Sequence, residues 1–244
     1  MTLESAALAF SPGRARVVAL LEVVLCSSLP TQLLLSGVLA AAGLSARTEG
    51  GQLSVAFVVT LSLGDSLLLV ALMVALSRLH GQSVWQLWRG TRPVGREAVL
   101  GLTLAPLILV GVGLLLGAIQ HYLPALHNVP TNPLGELASG GRGDAALLGL
   151  VAVVAGGLRE ELQRAFLLRR FELHLGGTWV GVVVLSAAFG LGHLLQGWDA
   201  VIATSALGAG WAVLYVWRRS SVAPIVSHAG FNAIEVLQMA TLSG

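Results

Sequence analysis

Lysine is absent from this sequence, cysteine occurs once, and charged residues make up only 11% of the chain. The single cysteine, Cys26, excludes an intrachain disulfide and a metal site built from several thiolates. The arginines stand in small groups and form no continuous basic strip, so the pattern typical of nucleic-acid binding is missing and no nucleic-acid partner is expected. So little charge also places the chain outside the composition of ordinary soluble domains.

Hydrophobic residues account for 55% of the chain, and its mean hydropathy is +0.83. Apolar runs of roughly 20 residues, the length that crosses a bilayer, recur along the whole sequence. The segment before the first run, Met1–Gly13, has no positive charge and no cleavage site of the signal-peptide kind, so we expect the first span to be retained. The sequence therefore predicts an all-α, polytopic transmembrane helix bundle of about seven spans: Ala15–Gly43, Leu53–Leu76, Ala98–Ile119, Ala145–Phe171, Trp179–Leu195, Ala200–Trp217 and Val222–Leu242.

A loop rich in proline and glycine, Gln120–Gly143, separates two regions of the predicted bundle. We expect residues 1–143 to form an N-terminal three-span region with this loop, and residues 144–244 to form a four-span core. Arginine-rich loops stay on the cytoplasmic side of a membrane. An N-terminus in the cytoplasm leaves only Arg47 and Arg142 outside and collects on the inside Arg14, Arg16, Arg78, Arg89, Arg92, Arg96, Arg169, Arg170, Arg218 and Arg219.

The fourth predicted span contains Glu160 and Glu161 in succession, followed by Arg164. An ionisable group at the centre of a span costs roughly 2.5–3.5 kcal/mol on insertion scales, so such residues usually have a partner or a function. The two carboxylates lie about 100° apart around the helix, and the guanidinium can reach either of them. One carboxylate would then remain available for chemistry. A structural ion-pair network is the alternative interpretation.

Two further predicted spans contribute polar groups. His193 follows Phe189 by one helical turn in the fifth span, and His228 and Asn232 share one face of the seventh. Each histidine alone is compatible with a buried ring bonded to a backbone carbonyl. Together with a glutamate, the set offers a base, a second proton carrier and donors for an oxyanion, which are the groups that bond hydrolysis needs.

At these residues the sequence resembles the CPBP (CAAX protease and bacteriocin-processing) intramembrane proteases, which include the type II CAAX prenyl endopeptidases. Glu160-Glu161 followed by Arg164 resembles the first motif of the family, Phe189 to His193 matches its FxxxH motif, and His228 to Asn232 matches its HxxxN motif. The resemblance covers roughly Ala145–Leu242. It departs from the family at one point: two residues, not three, separate the glutamates from the arginine, and Ala165 occupies the usual arginine position.

This departure affects the assignment of the glutamates. If the arginine pairs with the glutamate four residues before it, Arg164 holds Glu160 and frees Glu161. By motif order, however, the first glutamate is the catalytic one in the family. The resemblance therefore implies that Glu160 is the base, and Glu161 is its rival.

The resemblance implies an intramembrane endopeptidase that cleaves a membrane-anchored or lipidated protein or peptide near its terminus. Glu160 and His193 would polarise a water molecule, His228 and Asn232 would stabilise the oxyanion, and Arg164 and Phe189 would support the site. A zinc ion bound by Glu160, His193 and His228 is the metalloprotease variant, which we rank slightly below the metal-free one. Arginine-only usage suggests a bacterium, and hence its inner membrane.

Two other function classes remain open at this point. A proton-coupled transporter would also place acids in spans, and it would account for Glu22 and Asp65, which the protease interpretation leaves unexplained. A non-catalytic membrane scaffold or bacteriocin immunity protein would act through a partner and would tolerate loss of the site residues.

Overall fold

The computed structural model describes residues 11–129, 137 and 141–242. Within these residues the regular structure is helical, apart from an isolated β-bridge between Arg47 and Leu53, which confirms the all-α class. The helices are α1 (Pro12–Leu25), α2 (Leu29–Ala41), α3 (Val55–Leu79), α4 (Val84–Arg89), α5 (Val94–Tyr122), α6 (Arg142–Val151), α7 (Glu160–His174), α8 (Thr178–Leu191), α9 (Trp198–Arg218) and α10 (Val222–Leu242). Short 3₁₀ turns follow α5 and α8, and a π-helical stretch joins α6 to α7.

Three of the described helices are long and apolar enough to cross a membrane by themselves, namely α3, α5 and α9. The first predicted span, Ala15–Gly43, is broken into α1 and α2, which meet at 41° and together pass as one further span. Ser28 takes a left-handed backbone conformation at this break, and Pro30 occupies the first turn of α2, where its missing N–H leaves no hydrogen bond unmade. The count of about seven spans stays a prediction. Part of the predicted loop Gln120–Gly143 lies outside the described residues.

The fourth predicted span contains an unusual turn of helix. Residues Ala152–Arg159 form a π-helical stretch that runs directly into Glu160. Gly157, within this stretch, packs against the backbone of α10, and a Cβ at this glycine would lie 2.6 Å from the Cα of Ala229. Glycine at this position is therefore what lets the π stretch and α10 approach closely enough to bring Glu161 and His228 together.

Helices α8 and α9 pack equally closely through Gly190. A Cβ at Gly190 would lie 2.4 Å from the carbonyl oxygen of Val201. On α9, a Cβ at Gly208 would lie 2.9 Å from the ring of Phe189. The two glycines thus fix the positions of Phe189 and His193 against α9.

Many of the arginines meet acids at one end of the bundle, which we call the arginine-rich end. Arg218 pairs with Glu97 at 2.5 Å, and Arg219 pairs with Glu172 at 3.0 Å. Glu22 on α1 forms ion pairs with Arg170 and, at 2.6 Å, with His80. These contacts tie the ends of α1, α3, α5, α7 and α9 together.

The N-terminal helices pack directly on α7. Trp88 of α4 donates a hydrogen bond to the carbonyl of Leu162 at 3.0 Å. An apolar core joins the two regions and includes Cys26, Leu69, Met73, Leu162, Ala165 and Phe166. The division into residues 1–143 and 144–244 stays a prediction.

Candidate active site

A cavity of about 480 Å³ opens among α3, α5, the π stretch, α8, α9 and α10. Four of the five predicted catalytic residues line it: Glu160, His193, His228 and Asn232. Apolar side chains such as Val112, Leu116 and Val236 form much of the remaining wall. The cavity reaches the ends of α5 and α9 that lie opposite the arginine-rich end, where Gln120 and Asp199 line it. A concave, largely apolar space with a few convergent polar groups is the usual form of a substrate site.

Glu161 is turned away from this cavity and is only 1% exposed. Its carboxylate accepts hydrogen bonds from Nε and Nη2 of Arg164, each at 3.1 Å, and from Nδ1 of His228 at 2.9 Å. The pairing of Arg164 with the glutamate four residues earlier is therefore wrong: Arg164 holds Glu161. With both carboxylate oxygens engaged, Glu161 orients its neighbours.

Glu160 is the carboxylate that faces the cavity, and its side chain is 23% exposed. Its Oε1 lies 3.6 Å from Nη2 of Arg159, and its Oε2 lies 4.0 Å from Nε2 of His228. These are looser contacts than those of Glu161. Glu160 therefore lines the cavity with a carboxylate that is less tightly held than that of Glu161.

His228 is buried and is oriented from two directions. Because a carboxylate only accepts, Nδ1 of His228 donates to Glu161, and Nε2 is directed toward Glu160. The ring also stacks on Trp211, with centroids 3.6 Å apart and planes 13° apart. Trp211 in turn donates from its indole N–H to Ser227 at 3.1 Å. The arrangement fixes the orientation of the ring and the proton on Nδ1.

His193 is held by the helix that carries it. Its Nδ1 lies 2.9 Å from the carbonyl oxygen of Phe189, so Nδ1 carries the proton and Nε2 is the acceptor atom of the neutral ring. The ring of Phe189 packs edge-on against His193 and His228, at centroid distances of 5.0 and 6.2 Å. The guanidinium of Arg164 covers the same ring at 4.9 Å. Phe189 thus contacts both histidines and the arginine, which agrees with a supporting position.

Asn232 connects α10 to the π stretch. Its Nδ2 donates to the carbonyl oxygen of Ala152 at 2.8 Å. A Cβ at Gly156 would lie 2.4 Å from the same Nδ2, so the amide lies directly on the helix backbone. Since an amide nitrogen carries two hydrogens, one donor of Asn232 remains for a ligand in the cavity.

Comparison with protein families matches residues 142–234 to the type II CAAX prenyl endopeptidase Rce1-like family. This segment is similar to that family. The match spans the π stretch, both glutamates, both histidines and Asn232, and it confirms the resemblance found in the three motifs. No curated protein and no solved structure matches the chain. The apolar helices and this match together make the chain an integral membrane protein, and residues 142–234 are similar to a protease family.

A zinc ion is not favoured by the donor groups of the Rce1-like segment. Among the described residues, no three His, Cys, Asp or Glu side chains lie close enough together to hold a metal ion. Nε2 of His228 is the ring nitrogen available to a metal, because Nδ1 donates to Glu161. As placed, however, Glu160, His193 and His228 do not form a three-donor site, so the zinc variant is not supported.

The structure adds residues that the motifs did not indicate. Trp211 lies outside all three motifs, and no periodicity in the sequence marks it as the stacking partner of His228. Glu235 lines the cavity about one helical turn beyond Asn232, and spacing along α10 could have indicated it. Arg159, adjacent to Glu160 in the sequence, approaches its carboxylate, although sequence position alone did not show on which side it would lie.

Proposed function

We propose that this protein is an intramembrane endopeptidase that cleaves a membrane-anchored or lipidated protein or peptide near its terminus. One observation carries the proposal: Glu160, His193, His228 and Asn232 line a single cavity among apolar helices, while Glu161 is fully engaged behind it. The family match supports the same function class.

In the proposed reaction, a water molecule in the cavity attacks the carbonyl carbon of the scissile peptide bond. Glu160 accepts a proton from this water, and His193 assists by accepting a hydrogen bond at Nε2. The carbonyl oxygen becomes an oxyanion, and the free N–H of Asn232 and Nε2–H of His228 donate to it. Glu160 then returns the proton to the leaving amine as the C–N bond breaks, and the carboxylate is restored.

Glu161 and Arg164 have a supporting role in this mechanism. An imidazole whose Nδ1–H is committed to a carboxylate donates from Nε2 only when it is doubly protonated. Glu161 is the anion that balances this positive charge on His228, and Arg164 keeps that carboxylate in place. In other hydrolases, too, a carboxylate orients a histidine of the active site through a hydrogen bond.

The arginine distribution supports a cytoplasmic N-terminus, and we propose an inner-membrane location in a bacterium. The transporter alternative loses its main argument, because Glu22 and Asp65 both have structural partners. Glu22 pairs with Arg170 and His80, and Asp65 accepts from Thr31 and Gln32. No described contact favours the scaffold alternative.

The proposal is tested with purified protein in liposomes. Two probes are used, and they share the sequence of the segment next to the membrane anchor. One is a farnesylated peptide that ends in a CAAX motif, and the other is anchored by a transmembrane helix. Mass spectrometry follows new termini for the wild type, Glu160→Gln and His193→Ala. We expect the wild type to cleave at least one probe and both variants to lose this cleavage. Equal cleavage by all three proteins would refute the proposed reaction. If neither probe is cut, new termini in host membranes with and without Glu160→Gln decide the question.

A further inference from the structure

The buried carboxylate of Asp65 lies in the middle of α3 and is 0% exposed. It accepts hydrogen bonds from the hydroxyl of Thr31 and, at 3.4 Å, from the amide of Gln32, both on α2. Its third polar neighbour is a cation: Nη2 of Arg159 lies 4.0 Å from Oδ2. Two neutral donors and one guanidinium thus surround this acid.

Arg159 is the last residue of the π stretch and is only 8% exposed. Its Nη1 donates to Gln163 at 2.8 Å and to Ser28 at 3.1 Å. Its Nη2 lies between two carboxylates, 4.0 Å from Asp65 and 3.6 Å from Oε1 of Glu160. A buried guanidinium requires anions nearby, and here it is shared between one fully buried acid and the acid that faces the cavity.

The break between α1 and α2 completes this arrangement. Ser28, in its left-handed conformation, places a hydroxyl against Arg159. Gln163 donates to the carbonyl of Cys26 at 2.5 Å and to Ser28 at 3.2 Å. The residues at the break between α1 and α2 therefore hold Nη1, while Nη2 lies between the carboxylates of Asp65 and Glu160.

We propose that Asp65 is a positioning residue for the glutamate base, acting through Arg159. By sharing the guanidinium, Asp65 limits its contact to one oxygen of Glu160 and leaves Oε2 directed toward His228 and the cavity. Without the negative charge of Asp65, the guanidinium has Glu160 as its remaining close acid and forms a full ion pair with it. The base is then held in a charge-assisted contact and turned from the cavity. This inference rests on the proposed function, and it adds Asp65 and its partners on α2 to the active site.

The test measures kcat and KM for Asp65→Asn, Arg159→Gln and the double variant, with the probe peptide that the wild type cleaves. The asparagine keeps the size of the side chain and its capacity for hydrogen bonds, and it removes only the charge. We expect kcat to fall roughly 10–100-fold in Asp65→Asn, as for other residues that orient a reacting group, while KM stays within about twofold. Because both residues act on one glutamate, the double variant should lose less than the product of the two single losses.

Glu22→Gln is the matched control. Glu22 is another buried acid of the N-terminal region, and it pairs with a buried arginine, Arg170. Neither Glu22 nor Arg170 has a described contact with Glu160, so this substitution removes a buried charge away from the site. It should lower the melting temperature in detergent and leave kcat of the folded protein unchanged. A purely structural role for Asp65 would give the same result as this control.

The outcomes separate the inference from the proposed function. If Glu160→Gln is inactive and Asp65→Asn keeps wild-type kcat, the inference is wrong and the protease assignment stands. If Glu160→Gln cleaves as well as the wild type, the proposed function fails whatever Asp65 does. If the single variant Asp65→Asn does not fold, Arg159→Gln is compared with the double variant. The double variant removes the buried charges of Asp65 and Arg159 together. A double variant less active than Arg159→Gln would overturn the inference.

Discussion

Nδ1 of His228 donates to Glu161 at 2.9 Å, while Nε2 of the same ring lies 4.0 Å from Glu160. One imidazole therefore contacts two adjacent glutamates from opposite ring nitrogens, and the two contacts differ in kind. The first is a short hydrogen bond in a buried ion-pair network that includes Arg164. The second is a longer contact between two groups that both line the cavity. The two carboxylates thus have different surroundings, and the proposed reaction gives them different tasks.

Replacing each glutamate by glutamine should separate these tasks. Glu160→Gln removes the proposed base and should reduce cleavage by about 10²–10⁴-fold with little change in thermal stability. Glu161→Gln leaves Arg164 without its carboxylate in a buried position, which costs roughly 3–5 kcal/mol, so stability and activity should fall together. Cleavage rates and melting curves in the same detergent measure both effects. A stable, inactive Glu161→Gln beside an active Glu160→Gln would reverse the assignment.

The contact between the π stretch and α10 gives a prediction that depends on a single methyl group. Gly157→Ala would place a Cβ 2.6 Å from the Cα of Ala229, so the two helices must move apart beside His228. Overpacking of this kind costs about 1–3 kcal/mol, and the separation of Glu161 from His228 should lower activity as well. Gly210→Ala is the control, because nothing lies within 4 Å of its Cβ position. Melting curves and cleavage rates that do not distinguish the two variants would contradict this packing.

Trp211 should affect catalysis through the ring it stacks on. Trp211→Phe keeps an aromatic ring but loses the indole N–H bond to Ser227 and part of the overlap with His228. Stacked aromatic pairs contribute about 0.5–1.5 kcal/mol beyond burial, so kcat should fall roughly fivefold as the imidazole becomes less well oriented. Trp217→Phe, which changes an exposed indole on the same helix, serves as control and should leave kcat unchanged. Equal kcat values in both variants would show that the stacking does not orient His228.

The helices and the meeting of the three motifs could be predicted from the sequence, because both depend on local patterns. Apolar runs of bilayer length specify helices whatever their partners are. Polar residues such as His193 and His228 are costly in lipid, so they face the interior and converge there. The cavity lined by Glu160, His193, His228 and Asn232 agrees with this expectation.

The partner of Arg164 could not be predicted, because residues three and four positions earlier are both within its reach. The choice depends on His228, which approaches from α10 and engages the same carboxylate. The π stretch before Glu160 also changes the phase of the helix, and a count of 3.6 residues per turn does not anticipate it. The partners of Asp65 could not be predicted for a similar reason, since they come from α2 and the π stretch and share no sequence pattern with it.

The proposed orientation can be tested with cysteines, because the chain has only Cys26 and that thiol is fully buried. Thr48→Cys places an exposed thiol in the loop between α2 and α3, and Gln86→Cys places one in α4 at the arginine-rich end. With a cytoplasmic N-terminus, a membrane-impermeant maleimide added to intact spheroplasts should label Thr48→Cys, and Gln86→Cys should react only after permeabilisation. The wild type controls for Cys26 and should remain unlabelled. The reverse pattern would place the arginine-rich end outside. The cavity, which reaches the opposite end at Gln120 and Asp199, would then extend toward the cytoplasm and toward substrates on that side.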